Sequence, residues 1–521
     1  MKELTSSIPD FEKLIKEGYL YVDKTEYIWQ LIKRGGESYF LSRPRRFGKS
    51  LTVSTLKAVF QGKKDLFKGL AIYDKPYDWK SYPIIHLSFG DYNPINNTQD
   101  KLNTYLLNKV LGIAEQHSVS LPETMDPSYA FGKLIDELSC TCQVVVLVDE
   151  YDKPILDNIT DQNIKEIQKC LKGFYSVLKD RNTLERMLFV TGVSKFSHVS
   201  LFSDLNNLTD ITMDPKFACM FGYTQEELET YFGDRIEALA RECNYDLDEF
   251  KTKIKDWYDG YRFHYNCATV YNPVSLAKFF ELGGEFGNYW FSTGTPSFLL
   301  ELISKQHFDL EEALKSPTSS FAFDAYEIDK LNPLTLLLQT GYLTIKSATK
   351  RYEEISYQLQ FPNLEVKSSF ETYLIGHCSG LRTDQIKESV FKLADAVVAG
   401  DVKGFMEAMK VFFAEVPYDL HMKDENNFHL LFFAIFMLLG VSITAESKTN
   451  NGRIDAVATN ENFVFVFEFK LNKTAKIALD QIKDRDYYRR YMNSGKKIFL
   501  IGVNFDKKKG QIDKWIVKED K

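Results

Sequence analysis

Cysteine is scarce in this 521-residue sequence. The chain has seven cysteines, an odd number, and none of their spacings is typical of a metal site. Cys140 and Cys142, two positions apart near a strand pattern, are predicted to be thiols in the core. A disulfide framework is therefore not expected, and a reducing, cytoplasmic compartment is the simplest interpretation.

Long hydrophobic runs are also missing. The first residues, MKELTSSIPDF, are polar and lack the apolar stretch of a signal peptide. The most apolar run, residues 428–443, is too short to cross a bilayer comfortably and is predicted to be a buried helix. The sequence has neither low-complexity segments nor internal repeats. No membrane partner is expected.

An excess of positive charge is absent as well. The net charge of −7 and the pI near 5.8 argue against a globally basic coat for nucleic acid, although they permit a local basic face. Hydrophobic residues make up 44% and charged residues 26%, which is ordinary for a soluble globular protein. The length predicts about three domains.

The first chemical motif that is present is SRPRRFGKS, residues 42–50, between an apolar run and a predicted helix over 51–60. A strand, a loop ending in Gly-Lys-Ser and a helix form a phosphate-binding loop. Lys49 would reach the β and γ oxygens of a triphosphate, and the Ser50 hydroxyl would hold Mg²⁺. The predicted nucleotide-binding residues of this loop are Arg45, Arg46, Phe47, Gly48, Lys49, Ser50 and Leu51. The pattern GxxxxGK[ST] has Gly where this chain has Arg43, so an ordinary helix start stays open as the alternative.

The second motif is QVVVLV, residues 143–148, followed by Asp149 and Glu150. Continuous β-branched runs are typical of parallel strands buried on both faces, and open α/β sheets bind ligands at the carboxyl ends of such strands. Asp149 is predicted to hold the Mg²⁺ shell and Glu150 to polarise the attacking water. A strand that merely ends in a polar turn is the alternative. The Gly-Lys-Ser about 100 residues earlier favours the nucleotide site.

A further buried strand is predicted at 186–190, ending in TGVSK. Thr191 or Ser194 would sense the γ-phosphate there, although a strand-terminal turn is equally compatible. No arginine finger is identifiable, and a neighbouring copy could complete the site, which would make the protein a homo-oligomer through this core. The arginines that stay open as candidates are Arg45, Arg46 and Arg186. Upstream, the turn at 21–25 is predicted to lie beside the adenine, or else to cap the following helix.

The middle of the chain has a helical pattern. Thr-Gln-Glu-Glu from Thr224 is a capping box, and it opens a helical stretch that an aromatic turn, YDGYRF, interrupts. The run LNPLTLLLQTGYLTIK resembles the helix, Gly turn and strand of a winged-helix element. The predicted divisions are a core (1–222), a helical lid (223–303), a winged-helix-like and helical linker (304–415) and a last domain (416–521).

The last domain contains a second constellation. GRIDAVAT (452–459) and FVFVFEFK (463–470) are predicted strands, and the second places its phenylalanines on one face and Glu468 and Lys470 on the other. A two-residue turn at Glu461-Asn462 would place Asp455 opposite Glu468, with Cβ atoms about 5 Å apart. Two such carboxylates repel unless a cation joins them, so Mg²⁺ is predicted there, with Lys470 positioning or deprotonating a water.

This arrangement suits metal-dependent phosphodiester hydrolysis. A surface face with a Lys–Glu pair is the alternative, which the otherwise apolar strand disfavours. Glu446, Glu425 or His429 could complete the metal shell. From residue 473 to the end there are 14 Lys and Arg against 7 Asp and Glu, which fits a polyanionic substrate or a merely solvated surface.

Two sets of motifs resemble known families. YVDKTEYI, RPRRFGKSLTVSTL, VVVLVDEYDKPI, TGVSKFS and WYDGYRF resemble the bacterial AAA-ATPase-like family, and GRIDAV, FEFKL and the later Gln-Ile at 481–482 resemble the PD-(D/E)XK nuclease-like domain. The resemblance implies an α/β fold: a P-loop NTPase (AAA-like) core with a helical lid and a winged-helix-like linker, then a restriction-endonuclease-like α/β domain. It implies ATP and Mg²⁺ as cofactors. The positions that it implies are Lys49, Ser50, Asp149 and Glu150 as Walker residues, and Asp455, Glu468, Lys470 and Gln481 as the nuclease set, whose first acidic residue is not identified.

The leading hypothesis is a cytoplasmic protein that binds and hydrolyses ATP and has a C-terminal Mg²⁺-dependent nuclease site acting on DNA. An alternative of another class is an NTP-driven signalling or interaction switch whose nuclease fold is a non-catalytic binding module. A third is a P-loop that binds ATP only structurally.

Overall fold

The computed structural model describes most of the chain in two compact units. One unit comprises residues 1–298 and 317–365, and the other residues 299–316 and 366–521. The described residues are 2–94, 96–159, 163–195, 202, 205, 207–291, 299–300, 302–303, 310–320, 323, 332–416, 431–432, 434–436, 438–439, 442–445, 454–459, 462–471, 473–485, 491–492, 494–506 and 511–520. No helix within these ranges has both the length and the apolar content that crossing a membrane requires.

The first unit is built on a parallel five-stranded sheet with the order β2-β3-β4-β1-β5. The strands are β1 (Glu37–Ser42), β2 (Ile84–Ser88), β3 (Val144–Asp149), β4 (Glu185–Gly192) and β5 (Leu208–Asp210). All six residues of β3 are buried, as its β-branched sequence predicts for a central parallel strand. Because β4 lies between β1 and β3, the carboxyl ends of these three strands form one continuous edge.

Helices connect the strands of this sheet, as parallel strands require. They are α1 (Phe11–Lys16), α2 (Thr25–Ile32), α3 (Lys49–Phe60), α4 (Gln99–Gln116), α5 (Pro127–Ser139), α6 (Lys153–Leu156) and α7 (Ile164–Ser176), with 3₁₀ turns at Lys64–Phe67 and Lys179–Leu184. Side-chain caps begin several of them: Asp10, Thr98 and Asp126 each accept a bond from a first-turn N–H.

A helical segment follows the sheet. It contains α8 (Gln225–Glu242), α9 (Leu247–Tyr258) and α10 (Pro273–Glu281), and α11 (Leu310–Lys315) comes next in the chain but belongs to the second unit. The capping box predicted at Thr224 is confirmed, with Glu227 as its second member. The predicted helix, Gly turn and strand are present as α12 (Pro333–Thr340), Gly341 and β7 (Thr344–Arg351), and β7 pairs with β8 (Glu354–Gln360), which pairs with β6 (Thr318–Ser319).

The second unit combines helices with a mixed five-stranded sheet. The elements are α13 (Leu364–Ser379), whose residues from Val366 onward belong to this unit, α14 (Thr383–Ala399), α15 (Val402–Glu415), β9 (Ser442–Ala445), β10 (Ile454–Thr459), β11 (Phe463–Leu471), α16 (Ala475–Arg485), β12 (Lys497–Asp506) and β13 (Gln511–Asp520). The sheet order is β13-β12-β11-β10-β9, in which only β11 and β12 run parallel among the described pairs.

The main-chain register of this sheet agrees with the predicted hairpin. Asp455 lies opposite Glu468, as a turn at residues 461–462 requires, although residues 460 and 461 lie outside the described ranges. Both faces of β11 are covered: Phe467 is 1% exposed on one face and Val466 1% on the other. Helix α16 crosses β12 at Gly502, where an added Cβ would lie 2.3 Å from the Ala475 carbonyl oxygen.

Two predictions outside the candidate sites need correction. Cys140 is exposed and Cys142 half-buried, so they are not core thiols. The reason is that Cys140 caps the carboxyl end of α5, and both residues precede the first buried residue of β3. The apolar run 428–443 is not one helix either: its described residues 431–432 and 434–436 are helical and buried, but Ser442–Ala445 form a strand.

Candidate functional site

The phosphate-binding loop predicted from the sequence is formed between β1 and α3. β1 ends at Ser42 and α3 begins at Lys49. Gly48, at φ 92°, and Arg46, at φ 67°, take left-handed conformations that turn the chain into the helix. Because the first N–H groups of a helix have no partner within it, the start of α3 presents donors to an anion.

Lys49 is buried inside this loop. Its side-chain nitrogen donates to the carbonyl oxygens of Arg43 and Pro44, both at 2.9 Å. Burial lowers the pKa of Lys49 to about 8, and the acids Asp149, Glu150 and Asp152 counteract that fall in the pKa. The lysine therefore lies against main-chain oxygens, with three carboxyl groups close enough to stabilise its charge.

Asp149 ends β3 directly beside the loop. The residue is 4% exposed, and its Oδ1 atom has no hydrogen-bond partner in the part of the chain that the structure describes. Burial raises the pKa of Asp149, while a hydrogen bond from Ser50 and the charge of Lys49 lower it. The structure thus brings together the two predicted Mg²⁺ ligands. A carboxylate and a hydroxyl oxygen are the ligand types that this ion takes, so these residues fit it.

Glu150 follows β3 at φ 54°, a conformation that few residues other than Gly adopt. Its Oε2 atom lies 3.2 Å from where a Cβ on Gly90 would be, so Gly90 leaves room for the carboxylate. Burial and the neighbouring Asp149 raise the pKa of Glu150.

Thr191 and Ser194, the two predicted γ-phosphate sensors, have different surroundings. Thr191 is the next-to-last residue of β4 and pairs with Leu41 of β1; it is fully buried, and its hydroxyl bonds to no described residue. Ser194 donates its hydroxyl to Asp152 Oδ2 at 2.7 Å. Of these two predicted sensors, Thr191 is therefore the one whose hydroxyl has no partner among the described residues.

Asp152 is a residue of this region that sequence reasoning missed. It is 1% exposed, and besides the Ser194 hydroxyl it accepts the main-chain N–H groups of Val193 (3.1 Å) and Ser194 (2.7 Å). Gly192 makes the contact possible, because a Cβ there would lie 2.5 Å from Asp152 Oδ1. From the sequence alone, the position of Asp152 before α6 indicates a helix cap, but its side chain makes no capping hydrogen bond within the described residues.

The remaining loop residues have mixed roles. Phe47 is buried, and its ring meets Tyr261 (4.7 Å between centroids) and Phe263 (5.4 Å) edge to face. Arg45 is exposed and pairs with Asp157 at 3.3 Å. Arg186 lies at the start of β4, the end away from the loop, and donates to the carbonyl oxygens of Ile32 and Arg34, so this finger candidate is a structural residue.

A cavity of about 690 Å³ adjoins the loop. Loop residues 45–52 and Glu150 line it, together with Phe232, Pro273 and Ala277 of the helical segment. Tyr21, Val22 and Lys24, from the turn that the sequence predicts to lie beside the adenine, also line it; the adenine position itself stays a prediction. The cavity is large enough for a nucleotide-sized ligand.

The second constellation lies in the C-terminal sheet. Glu468 is 0% and Lys470 4% exposed, and the Lys470 ammonium donates to Glu468 Oε1. Glu468 Oε2 has no partner within the described ranges. Asp455 faces Glu468 in the main-chain register, and its side chain lies outside what the structure describes. A buried carboxylate oxygen without a donor fits a cation ligand.

Gln481 lies on α16, and its buried amide nitrogen has no described hydrogen-bond partner. The other shell candidates, Glu425, His429 and Glu446, lie outside the described residues. Among the side chains that the structure describes, no group of three His, Cys, Asp or Glu is placed to hold a metal.

The parallel sheet with its phosphate loop defines a P-loop-type α/β core, and the mixed sheet defines a second α/β domain. Comparison with known proteins identifies both: residues 6–202 match the family model described as a predicted AAA-ATPase, and residues 423–515 match the PD-(D/E)XK nuclease superfamily. A relative from Azotobacter chroococcum mcd 1, "Uncharacterized protein in vnfD 5′ region", is 36% identical over 532 residues, spanning 99% of each chain. No solved structure matches. The chain belongs to the predicted AAA-ATPase-like family with a C-terminal PD-(D/E)XK nuclease superfamily domain.

Proposed function

We propose that the protein is a cytoplasmic ATPase whose C-terminal domain is a Mg²⁺-dependent nuclease acting on DNA. The observation that carries the proposal is the meeting of Lys49, Ser50 and an unpartnered Asp149 oxygen at the start of α3. In this proposal the helical segment from α8 to α10 is a lid, and α12 with β7 and β8 is a winged-helix-like element.

The loop residues would bind and orient the triphosphate. N–H groups at the start of α3 donate to phosphate oxygens. The Lys49 ammonium leaves the two carbonyl oxygens and donates to the β and γ oxygens of the triphosphate. Thr191 donates its hydroxyl toward the terminal phosphate, and Glu150 orients the attacking water and accepts its proton. The raised pKa of Glu150 makes it a stronger base than an ordinary carboxylate, which suits a group that accepts a proton from water.

At the second site, Glu468 and Asp455 would hold the metal, and Lys470 would orient or deprotonate a water. Mg²⁺ bound at either place would neutralise phosphate charge and make a bound water more acidic. Gln481 would position Lys470 or the substrate from α16. The basic stretch from residue 473 onward would attract the DNA backbone.

ATP turnover tests the first site. We expect Lys49→Ala to abolish ATP binding and Glu150→Gln to bind ATP but hydrolyse it about 10²-fold more slowly. Lys57→Ala, on the last turn of the same helix, is the matched control and should behave as wild type. Binding without turnover by the wild type would identify the P-loop as purely structural.

Cleavage of plasmid and single-stranded DNA with Mg²⁺ tests the second site. Wild type should cut, and Glu468→Ala and Lys470→Ala should not. The control is Lys403→Ala, an exposed lysine of α15 outside the basic stretch, which should cut as wild type does.

One observation favours the switch as a second candidate function: Lys470 already neutralises Glu468 internally. Wild type that cuts no nucleic acid, while still turning over ATP, would support a signalling or interaction switch with a non-catalytic nuclease fold.

A further inference from the structure

Arg43 occupies the position where the phosphate-loop pattern has Gly. Two of its three guanidinium nitrogens donate hydrogen bonds, and the third, the buried Nε, has no partner among the described residues. The residue is 1% exposed, and its guanidinium donates to the carbonyl oxygens of Ser42 (2.9 Å), Thr212 (2.6 Å) and Phe217 (3.3 Å). These bonds join the first residue of the loop to a segment that follows β5. A planar guanidinium can serve several acceptors at fixed angles, which an ammonium group cannot do.

Two aromatic rings enclose the same guanidinium. Its central carbon lies 4.2 Å from the centre of the Phe263 ring and 5.7 Å from that of Phe221. Phe263 also meets Phe47 of the loop, at 5.4 Å. Burial lowers the pKa of Arg43 to about 9, so the group stays charged at neutral pH, and the cation–π contact adds to its hydrogen bonds.

The main chain of Arg43 is hydrogen-bonded as well. Its N–H donates to the Gly192 carbonyl at the end of β4 (3.1 Å), and its carbonyl accepts from Lys49 at 2.9 Å. Arg43 therefore connects three places by hydrogen bonds: the end of β4, the segment after β5 and the side chain of Lys49.

We propose that Arg43 is a positioning residue for nucleotide binding, which holds the phosphate loop and Lys49 in the binding arrangement before the ligand arrives. A glycine at this position makes the loop flexible. A buried arginine orders the loop before the nucleotide binds, so the loop loses less conformational entropy on binding. This inference rests on the proposed binding of a nucleoside triphosphate at the same loop.

Arg186 provides a matched control in the same sheet. Its guanidinium also donates to two main-chain carbonyls, of Ile32 and Arg34, each at 2.9 Å, and it lies over the rings of Phe60 and Tyr82. It does so at the opposite end of β4. Loss of Arg186 should therefore lower stability without changing nucleotide affinity.

The experiment measures ATP affinity by calorimetry with the full chain, at a temperature where circular dichroism shows every variant folded. Arg43→Ala should weaken the Kd for ATP at least about tenfold, which corresponds to about 1.4 kcal/mol, and Arg186→Ala by less than about twofold. In ATP turnover, Arg43→Ala should raise KM while kcat changes less than about twofold. The reason is that the loop is already ordered once ATP is bound, so the chemical step is little affected. Arg43→Lys should fall between wild type and Arg43→Ala.

Phe263→Leu tests the same inference if Arg43→Ala does not fold. It removes the ring over the guanidinium and should weaken the Kd about threefold. Unchanged affinity in Arg43→Lys and Phe263→Leu, or equal losses in Arg43→Ala and Arg186→Ala, would overturn this inference alone. A wild type that binds no nucleotide would overturn the proposed function along with it.

Discussion

The two candidate sites solve the problem of a buried lysine in different ways. In the N-terminal unit, Lys49 rests on two main-chain carbonyls, and the nearby Asp149 keeps one oxygen without a described partner. In the C-terminal unit, Lys470 bonds directly to the carboxylate of Glu468. The first lysine can leave its partners at little cost, whereas the second is half of an ion pair.

This difference has a physical consequence. Carbonyl oxygens are weak partners for an ammonium group, so an arriving phosphate competes well for Lys49. A carboxylate in a buried site is a strong partner, and separating the pair exposes two uncompensated charges. The first site is therefore arranged to accept an anion, whereas the second compensates its own charges.

The largest expected effect comes from removing each lysine in turn. Lys470→Met leaves Glu468 buried without its cation and should lower the free energy of unfolding of the C-terminal unit by about 3–5 kcal/mol. Lys49→Met removes a buried charge whose hydrogen bonds go to carbonyls and which Asp149, Glu150 and Asp152 stabilise only through space, so it should cost less, about 1–2 kcal/mol. Peptide-resolved hydrogen exchange in urea follows both units. Equal losses would abolish the distinction between the two sites.

Glu185 shows what a buried carboxyl does without any cation. It is 2% exposed at the start of β4, neither of its oxygens has a described partner, and burial raises its pKa from 4.5 to about 8. Because the folded state keeps the proton longer, the stability that this group contributes is full below about pH 4.5 and is lost as the pH rises to about 8.

We therefore expect the wild type to lose up to about 1.4 kcal/mol per pH unit over this window relative to Glu185→Gln, which cannot titrate. Urea unfolding at several pH values gives both slopes. An equal dependence of stability on pH in the two proteins would contradict this prediction, because it would mean that Glu185 is already ionised in the folded state over this window.

A smaller effect separates the two hydroxyls at the end of β4. Ser194→Ala removes a bond to the buried Asp152 carboxylate and should cost about 1.5–3 kcal/mol of stability. Thr191→Val replaces a hydroxyl that has no described partner with a methyl group, so stability should hold while ATP turnover falls. Thermal unfolding and turnover rates of both variants test this, and a slow, stable Ser194→Ala protein would reverse the assignment.

The smallest expected effect concerns the approach of α16 to the C-terminal sheet. Gly502→Ala would place a Cβ 2.3 Å from the Ala475 carbonyl and 2.6 Å from the Leu479 nitrogen, and should cost about 1–3 kcal/mol by pushing the helix and Gln481 outward. Gly376→Ala, whose Cβ would have only ordinary contacts at 3.5 Å, is the control. Equal stabilities of the two variants would show that α16 can shift freely.

What the sequence predicted correctly depends on local signals. The loop before α3 follows from Gly-Lys-Ser between a strand and a helix, and β3 from an unbroken β-branched run. The pairing of Asp455 with Glu468 follows from alternation and a two-residue turn, which fix register within a few residues.

What it could not predict depends on partners far along the chain. Two of the three oxygens that accept from the Arg43 guanidinium belong to residues 169 and 174 positions away, so the sequence shows only a missing glycine. Asp152 bonds to Ser194, 42 positions away, whereas its local position indicates a helix cap. The prediction of core thiols at 140 and 142 is wrong because nearness to a strand does not show whether a residue lies inside the strand or before it.

The pairing of Lys470 with Glu468 on an otherwise apolar strand has a consequence for how this domain could diversify. Valines precede the pair on the same face, and all of that face is enclosed. Exchanging both charged residues for leucine and methionine would extend the apolar surface that α16 covers. Such exchanges of a buried ion pair for apolar residues are often neutral or stabilising. The fold alone therefore does not require the two charges, and a relative in which both residues were replaced together could keep the same structure.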